Sequence, residues 1–115
     1  MKSIVLKPWG SYEVILRDSN FVIKKIIVKP GGVLSLQSHK NRSEHWVVVK
    51  GNAKVIFNEE IKYLETNQSI YIPAGSKHRL ENETEKPLIV VEVQTGTYLE
   101  EDDILRYEDD YQRIM

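Results

Sequence analysis

The chain has 115 residues, 41% of them hydrophobic, and a formal net charge of −1 at pH 7. This length suits one domain over residues 1–115, and the charge balance excludes a strongly basic face for nucleic acid. The sequence has no cysteine, which excludes a disulfide framework. The first residues lack the apolar stretch of a signal peptide, and no run approaches the roughly 20 apolar residues of a membrane span. We therefore expect a cytoplasmic protein with no membrane partner.

Short apolar runs rich in β-branched residues follow one another along the chain, separated by turn-forming residues. They predict strands at residues 12–17, 21–29, 53–57, 61–64, 69–72, 78–82 and 87–94, and a hairpin within residues 31–51. Such regular spacing is typical of an all-β sandwich or barrel. The acidic tail from residue 98 is predicted to form a short helical or irregular segment, because acids favour a helix N-terminus.

The hairpin within residues 31–51 carries the residues best suited to hold a metal ion. Gln37 and His39 are two apart in a strand and therefore point to one face. Glu44 opens the next apolar run, and His78 supplies a second imidazole after a Pro-Ala-Gly turn. Two imidazoles and a carboxylate, with a weak amide-oxygen donor beside them, suit a divalent metal that keeps open positions.

One lysine of the pair Lys24 and Lys25 must face into the barrel. The two are adjacent in a predicted strand, so their side chains point to opposite faces. The inward lysine would be costly unless it met an anion, and the sequence does not decide which of the two it is.

Two spaced motifs resemble those of the cupin family. The first joins Gly31, Gln37, His39, Glu44 and Gly51, with Gln37 in place of the family's first histidine. The second joins Pro73, Gly75, His78 and Asn82, with Asn67 where that motif usually begins with glycine. Asparagine is the next residue most tolerant of a left-handed turn. The resemblance implies a cupin double-stranded β-helix, or jelly-roll, barrel.

Longer matches at residues 7–12, 34–39, 42–49, 71–82 and 101–111 make the chain similar to the type II mannose-6-phosphate isomerase domain. In that family the domain commonly forms the C-terminal part of a bifunctional enzyme with mannose-1-phosphate guanylyltransferase. The nucleotidyltransferase part is not in this sequence, so no guanylyltransferase activity is expected. The chain departs from the family at Lys40 and Asn41, where histidines are usual, and at Gln112, where glycine is usual.

This resemblance implies that Gln37, His39, Glu44 and His78 bind one divalent ion, which would be Zn, Mn, Co or Fe. It also implies that Arg42 matches an arginine needed for isomerase activity. The implied reaction interconverts mannose 6-phosphate and fructose 6-phosphate through a cis-enediol.

That reaction needs stabilisation of charge on the carbonyl oxygen, which a metal supplies, and a base that moves one proton. Glu92 and His45 are the candidate bases, although strand alternation from Glu44 turns His45 away from the metal unless a bulge re-aims it.

The substrate phosphate needs cationic partners, for which arginine is well suited. Arg42 is predicted to lie in the turn of the hairpin and to reach past the barrel rim toward the phosphate. Lys25, Arg79 and Arg106 are further candidates. A more speculative reading of the tail makes Arg106 or Arg113 an anion clamp at the barrel mouth.

Other interpretations remain open at this level. The alternative function is a non-catalytic sugar-phosphate or nucleotide-sugar binding cupin, and the departures at Lys40 and Asn41 favour it. Dioxygenation is disfavoured because Gln37 replaces a histidine, and a metal-free epimerase would leave four ligand-type residues without a role. Because jelly-roll sheets leave edge strands that need cover, we expect a homodimer.

Overall fold

Eleven strands build the described part of the chain, which in this computed structural model is residues 3–111. Arg113, the second candidate anion clamp, lies outside these residues. The strands are β1 (Ile4–Lys7), β2 (Gly10–Arg17), β3 (Phe21–Val28), β4 (Leu36–Ser38), β5 (Arg42–Lys50), β6 (Ala53–Phe57), β7 (Glu60–Leu64), β8 (Ser69–Ile72), β9 (His78–Glu81), β10 (Leu88–Gly96) and β11 (Leu105–Glu108).

The strands form two antiparallel sheets that face each other. The six-stranded sheet has the order β1-β2-β3-β10-β5-β8, and the five-stranded sheet has the order β11-β4-β9-β6-β7. From β3 to β6, and again from β7 to β10, each successive strand joins the opposite sheet, so the chain winds around a common interior. This is the double-stranded β-helix that the two motifs predict. In the described residues no helix has the length and hydropathy needed to cross a membrane.

The predicted hairpin within residues 31–51 is wrong. Strand β4 pairs with β9 and β11, whereas β5 pairs with β10 and β8. Residues 39–41 cross from one sheet to the other, because each strand gains its backbone hydrogen bonds from a distant partner. As a result, His39 and Glu44 approach each other across the space between the sheets.

The tail also differs from its prediction, since the described residues after position 98 form no helix. Its residues 105–108 form β11, which pairs with β4 so that Arg106 lies opposite Gln37. The irregular part of the prediction is confirmed for residues 97–104. A strand is favoured here because the free edge of β4 offers backbone partners that a short isolated helix would lack.

The turn before β8 has the conformation predicted from Asn67. Its φ angle is +75°, in the left-handed region, and its N–H donates to the carbonyl of Val48 at 2.8 Å. Asparagine thus takes the place of the family's glycine at a backbone position that few residues adopt.

The interior is apolar at one end of the barrel and polar at the other. Along β10 the inward side chains run Leu88, Val90, Glu92 and Gln94, all at most 5% exposed. Cross-strand pairing places Lys24 and Trp46 on either side of Glu92. Because inward residues recur every second position, the change from Val90 to Glu92 marks where the hydrophobic core ends and a polar chamber begins.

Candidate metal and ligand site

Three buried side chains at the polar end could hold a metal ion. His39 follows β4, Glu44 lies in β5 and His78 begins β9, so both sheets contribute. Their ligand atoms lie within 4.8 Å of one another. Oε2 of Glu44 is 3.2 Å from Nε2 of His39, and Oε1 is 3.6 Å from Nε2 of His78. All three residues are at most 3% exposed.

Both imidazoles are oriented by hydrogen bonds made on the far side of their rings. Nδ1 of His39 lies 2.7 Å from the carbonyl of Asp103, and Nδ1 of His78 lies 3.0 Å from the carbonyl of Ser76. A carbonyl accepts only, so each Nδ1 donates and each Nε2 presents a lone pair inward. Outer hydrogen bonds of this kind orient histidines that bind metals.

The residues present fit a divalent metal. Within residues 3–111, Nε2 of His78 is buried without a hydrogen-bond partner, an arrangement that is costly unless an ion or a ligand satisfies the nitrogen. Burial lowers the pKa of His78, and the positive charge of Arg42 adds to this, while Glu44 and the hydrogen bond to the carbonyl of Ser76 oppose it. The ring is therefore neutral, the form that binds metals. Gln37 lines the adjoining cavity and pairs in register with His78, and its role as a fourth ligand stays a prediction.

The carboxylate of Glu44 is held from both sides. Its Oε1 accepts from Nε1 of Trp46 at 3.0 Å, and its Oε2 accepts from Nε of Arg42 at 2.9 Å. Burial alone would raise the pKa of Glu44, but its polar contacts with His39 and His78 and the positive charge of Arg42 lower it well below its usual range. Glu44 is therefore anionic, as a metal ligand must be.

Trp46 is a site residue that the sequence analysis missed. The same indole N–H also lies 2.9 Å from Oε2 of Glu92, so it bridges the two carboxyl groups. The signal was available, because Trp46 lies two residues after Glu44 on the same face of β5. Large aromatic residues in a strand are usually assigned to the core, and Trp46 belongs to the core as well.

Glu92 faces the cavity, as a catalytic base must. Its carboxyl group is protonated at neutral pH. Burial, together with the charge of Glu44, raises the pKa of Glu92 to about 8. Its Oε1 accepts from the amide of Gln94 at 2.6 Å. At neutral pH it is a buried acid that can hold or release one proton. Its role in catalysis stays a prediction.

Arg42 is not at the rim, where the sequence analysis placed it. It is the first residue of β5, is 7% exposed, and points inward because β5 begins two residues before Glu44. One of its terminal nitrogens is 3.1 Å from Nε2 of His39, and the other is 3.5 Å from Oε2 of Glu101. Burial would lower its pKa, but Glu44, Glu92 and Glu101 together raise it.

A cavity of about 140 Å³ adjoins these groups. Its walls carry aromatic, aliphatic and charged side chains: Lys7, Trp9, Tyr12, Lys24, Ile26, Leu34, Ser35, Gln37, Arg42, Glu44, Trp46, Glu92, Glu101, Ile104 and Arg106. Arg106 is among the lining residues, and its Nε is buried without a hydrogen-bond partner among the described residues. Its role as a phosphate ligand stays a prediction.

Lys24 is the lysine that faces into the barrel. Lys25 faces outward, so the prediction that it binds phosphate is wrong. Lys24 is 4% exposed and lines the cavity, whereas Lys25 lies on the opposite face of β3. The register with β10, which puts Lys24 beside Glu92, makes this choice.

Two further candidates point away from the cavity. His45 is exposed on the outer face of the six-stranded sheet, where its ring lies 4.6 Å from that of Tyr71, so it is wrong as a base; no bulge at this point of β5 re-aims it. Arg79 donates through Nε to the carbonyl of Leu34 at 2.8 Å and contacts Glu108 and Asp110 of the tail. Arg79 holds the tail against the barrel through these contacts, and the prediction that it binds phosphate is wrong.

Comparison with known proteins gives the same family across the chain. A family profile described as "Mannose-6-phosphate isomerase C-terminal" matches residues 1–109. The chain is 52% identical over 110 residues to the mannose-1-phosphate guanylyltransferase ManC of Salmonella typhimurium, which covers 96% of this chain and 23% of ManC. It is 53% identical over 109 residues to the xanthan biosynthesis protein XanB of Xanthomonas campestris, covering 95% of this chain and 23% of XanB.

The fold has counterparts among solved structures. The capsular polysaccharide assembling protein CapF of Staphylococcus aureus superposes with a TM-score of 0.82 at 19% identity, over 94% of this chain and 34% of CapF. At this identity the likeness shows the fold alone.

These relatives correct the predicted activity. They are named for guanylyl transfer and for xanthan biosynthesis, and this chain spans about a quarter of their length. No isomerase activity of this segment by itself follows from them, so the prediction that the chain is a mannose-6-phosphate isomerase is wrong as made. The shared segment is the C-terminal part of such proteins, and the chain belongs to the mannose-6-phosphate isomerase C-terminal family.

Proposed function

We propose that this domain is a metal-containing binding site for a phosphorylated sugar of mannose metabolism. The observation that carries the proposal is a cluster of three buried metal-type ligands, one of which, Glu44, also lines a cavity that carries several cations. His39, Glu44 and His78 would hold the ion, with Gln37 as a further oxygen donor. When bound, the ion would supply Lewis-acid polarisation of sugar oxygens.

The chain's own groups suit the remainder of such a ligand. The indoles of Trp9 and Trp46 line the cavity and offer apolar surface to a sugar ring. Lys24, Arg42 and Arg106 supply positive charge for a phosphate. The name of ManC, a mannose-1-phosphate guanylyltransferase, and the description of the family support a phosphorylated or nucleotide-linked mannose over other sugars.

Metal uptake is tested first, on protein stripped with a chelator and then reloaded with Zn, Mn, Co or Fe. We expect one tightly bound ion per chain by elemental analysis. His78→Gln should lose the ion, whereas the matched variant His45→Gln should retain it because His45 lies on the outer face. Equal metal contents in the two variants would rule out the proposed centre.

Ligand binding is tested by calorimetry on the metal-loaded protein. Mannose 6-phosphate, mannose 1-phosphate and GDP-mannose are compared with unphosphorylated mannose. We expect at least one phosphorylated ligand to bind at least tenfold more tightly than mannose. Binding of mannose alone at the same affinity would contradict the proposal.

We also propose that the domain forms a homodimer. The support is the presence of edge strands, β1 and β8 in one sheet and β7 and β11 in the other. Sedimentation at micromolar concentration should give twice the chain mass, and a monomer would contradict this expectation.

A further inference from the structure

Two cations at the cavity wall are buried almost as deeply as the metal-type ligands. The side chains of Lys24 and Arg42 are 5% and 7% exposed. They reach the cavity from β3 and β5, which lie on either side of β10. The Lys24 ammonium also lies 4.3 Å from the centroid of the Tyr12 ring, a cation–π distance. Buried charges of this kind need an anionic partner.

For Lys24 that partner is Glu101, which differs from the other acids at the site. Arg42 has Glu44 as its nearest anion, at 2.9 Å, and Glu101 as a second. Both of its carboxylate oxygens lie 2.9 Å from Nζ of Lys24, and Oε2 lies 3.5 Å from Arg42. Its side chain is nevertheless 50% exposed, whereas Glu44 and Glu92 are buried inside the barrel. Glu101 belongs to the irregular segment between β10 and β11, so it closes the cavity from the outside.

We propose that Lys24 and Arg42 form the subsite for the ligand's phosphate, and that Glu101 occupies this subsite as an internal counter-ion which the phosphate displaces. This inference rests on the proposed function, which it makes more specific. A carboxylate and a phosphate both present oxygens to cations, and the phosphate carries more negative charge and more acceptor atoms. The exchange therefore keeps both buried cations paired.

The geometry of the tail allows Glu101 to leave while its neighbours stay. On one side Leu99 is buried, at 8% exposure. On the other side Asp103 accepts from the backbone N–H groups of Lys40 and Asn41 at 3.0 and 2.9 Å. The contact between Asp103 and His39 also survives, because displacement needs movement only of the exposed turn at residues 100–102. The backbone contact that orients His39 is therefore kept in the exchange.

Arg106 adds a donor to the same subsite. It lines the cavity with Lys24 and Arg42, and its buried Nε has no hydrogen-bond partner in the part of the chain described. Because a buried donor left unpaired is costly, an anion larger than the Glu101 carboxylate, with oxygens that reach Arg106, would gain a bond that Glu101 does not make.

The test compares Glu101→Gln with Glu100→Gln, a matched variant that removes the same charge one residue away. Affinities of inorganic phosphate and mannose 6-phosphate are measured by calorimetry on metal-loaded protein. Glu101→Gln should bind both about fivefold more tightly than wild type, the equivalent of about 1 kcal/mol for a partly exposed ion pair. Glu100→Gln should equal wild type, and Lys24→Gln should bind both at least tenfold more weakly.

The possible outcomes separate the two proposals. Unchanged phosphate affinity in both Glu101→Gln and Lys24→Gln, with mannose 6-phosphate still bound, overturns the subsite and leaves the proposed function standing. Tighter binding of inorganic phosphate by Glu101→Gln, with no binding of any mannose phosphate, supports the subsite and overturns the proposed function. Should Glu101→Gln fail to fold, carbon-13 NMR of the wild-type carboxyl groups decides. Addition of phosphate should shift the Glu101 signal, and an unshifted signal overturns the inference.

Discussion

Replacing Trp46 by phenylalanine should weaken metal binding through a residue that is not a ligand. The indole N–H donates to Oε1 of Glu44 at 3.0 Å and to Oε2 of Glu92 at 2.9 Å. Phenylalanine keeps an aromatic ring in the core but offers no donor. Glu44 would then lose one of the two hydrogen bonds that orient its carboxylate, the other being that from Arg42.

The expected loss of unfolding free energy follows from the two carboxyl groups to which the indole N–H donates. A hydrogen bond to a charged group contributes about 1.5–3 kcal/mol, and the shared bond to neutral Glu92 about 1 kcal/mol. We therefore expect the Trp46→Phe variant to lose about 2.5–4 kcal/mol of unfolding free energy. Loss of an outer hydrogen bond to a ligand typically costs about 10–100-fold in metal affinity, and we expect a loss in that range.

The assay combines urea denaturation of the metal-free protein with a competition titration against a coloured chelator. The control is Trp9→Phe, since Trp9 is also buried in the core, at 5% exposure, and the substitution removes the same atoms. It should lower stability and leave metal affinity unchanged. If both variants bound metal as wild type does, the reasoning that Trp46 positions Glu44 would be refuted.

Three further predictions concern groups around the barrel. Asn82→Ala should lower the unfolding free energy, measured by urea denaturation, by about 3 kcal/mol. The reason is that this buried side chain donates to the carbonyls of Val28 and Lys86 at 3.0 and 2.7 Å. A loss below about 1 kcal/mol would contradict this. Glu92 keeps its proton up to about pH 8 in the folded state and loses it near pH 4.5 in the unfolded state. Its contribution to the stability of the metal-free protein should therefore fall as the pH rises from 5 to 8. In thermal unfolding measured across this pH range, Glu92→Gln should flatten that decline. Arg79→Ala should speed hydrogen exchange in β11 without changing metal content, since Arg79 bonds the carbonyl of Glu108 at 3.2 Å.

Local patterns in the sequence were sufficient for most strands and for one turn. Strand β8 has the predicted bounds, and β3 and β9 each end one residue earlier than predicted. The left-handed Asn67 was predicted too, because few residues tolerate that conformation. These features depend on neighbouring residues alone. The His39, Glu44 and His78 set was predicted from spacing together with a family resemblance, and the structure brings the three together.

The rest depends on which distant strand each segment pairs with. Alternation shows that Lys24 and Lys25 face opposite ways, but only the register with β10 turns Lys24 toward the cavity. The separation of β4 and β5 into two sheets likewise puts Arg42 inside the barrel instead of at a hairpin turn. The sequence by itself determined most of the strands and the types of side chain available to a metal and an anion. Only the tertiary structure decided which charges share one buried chamber, because that follows from hydrogen bonds between strands far apart in the chain.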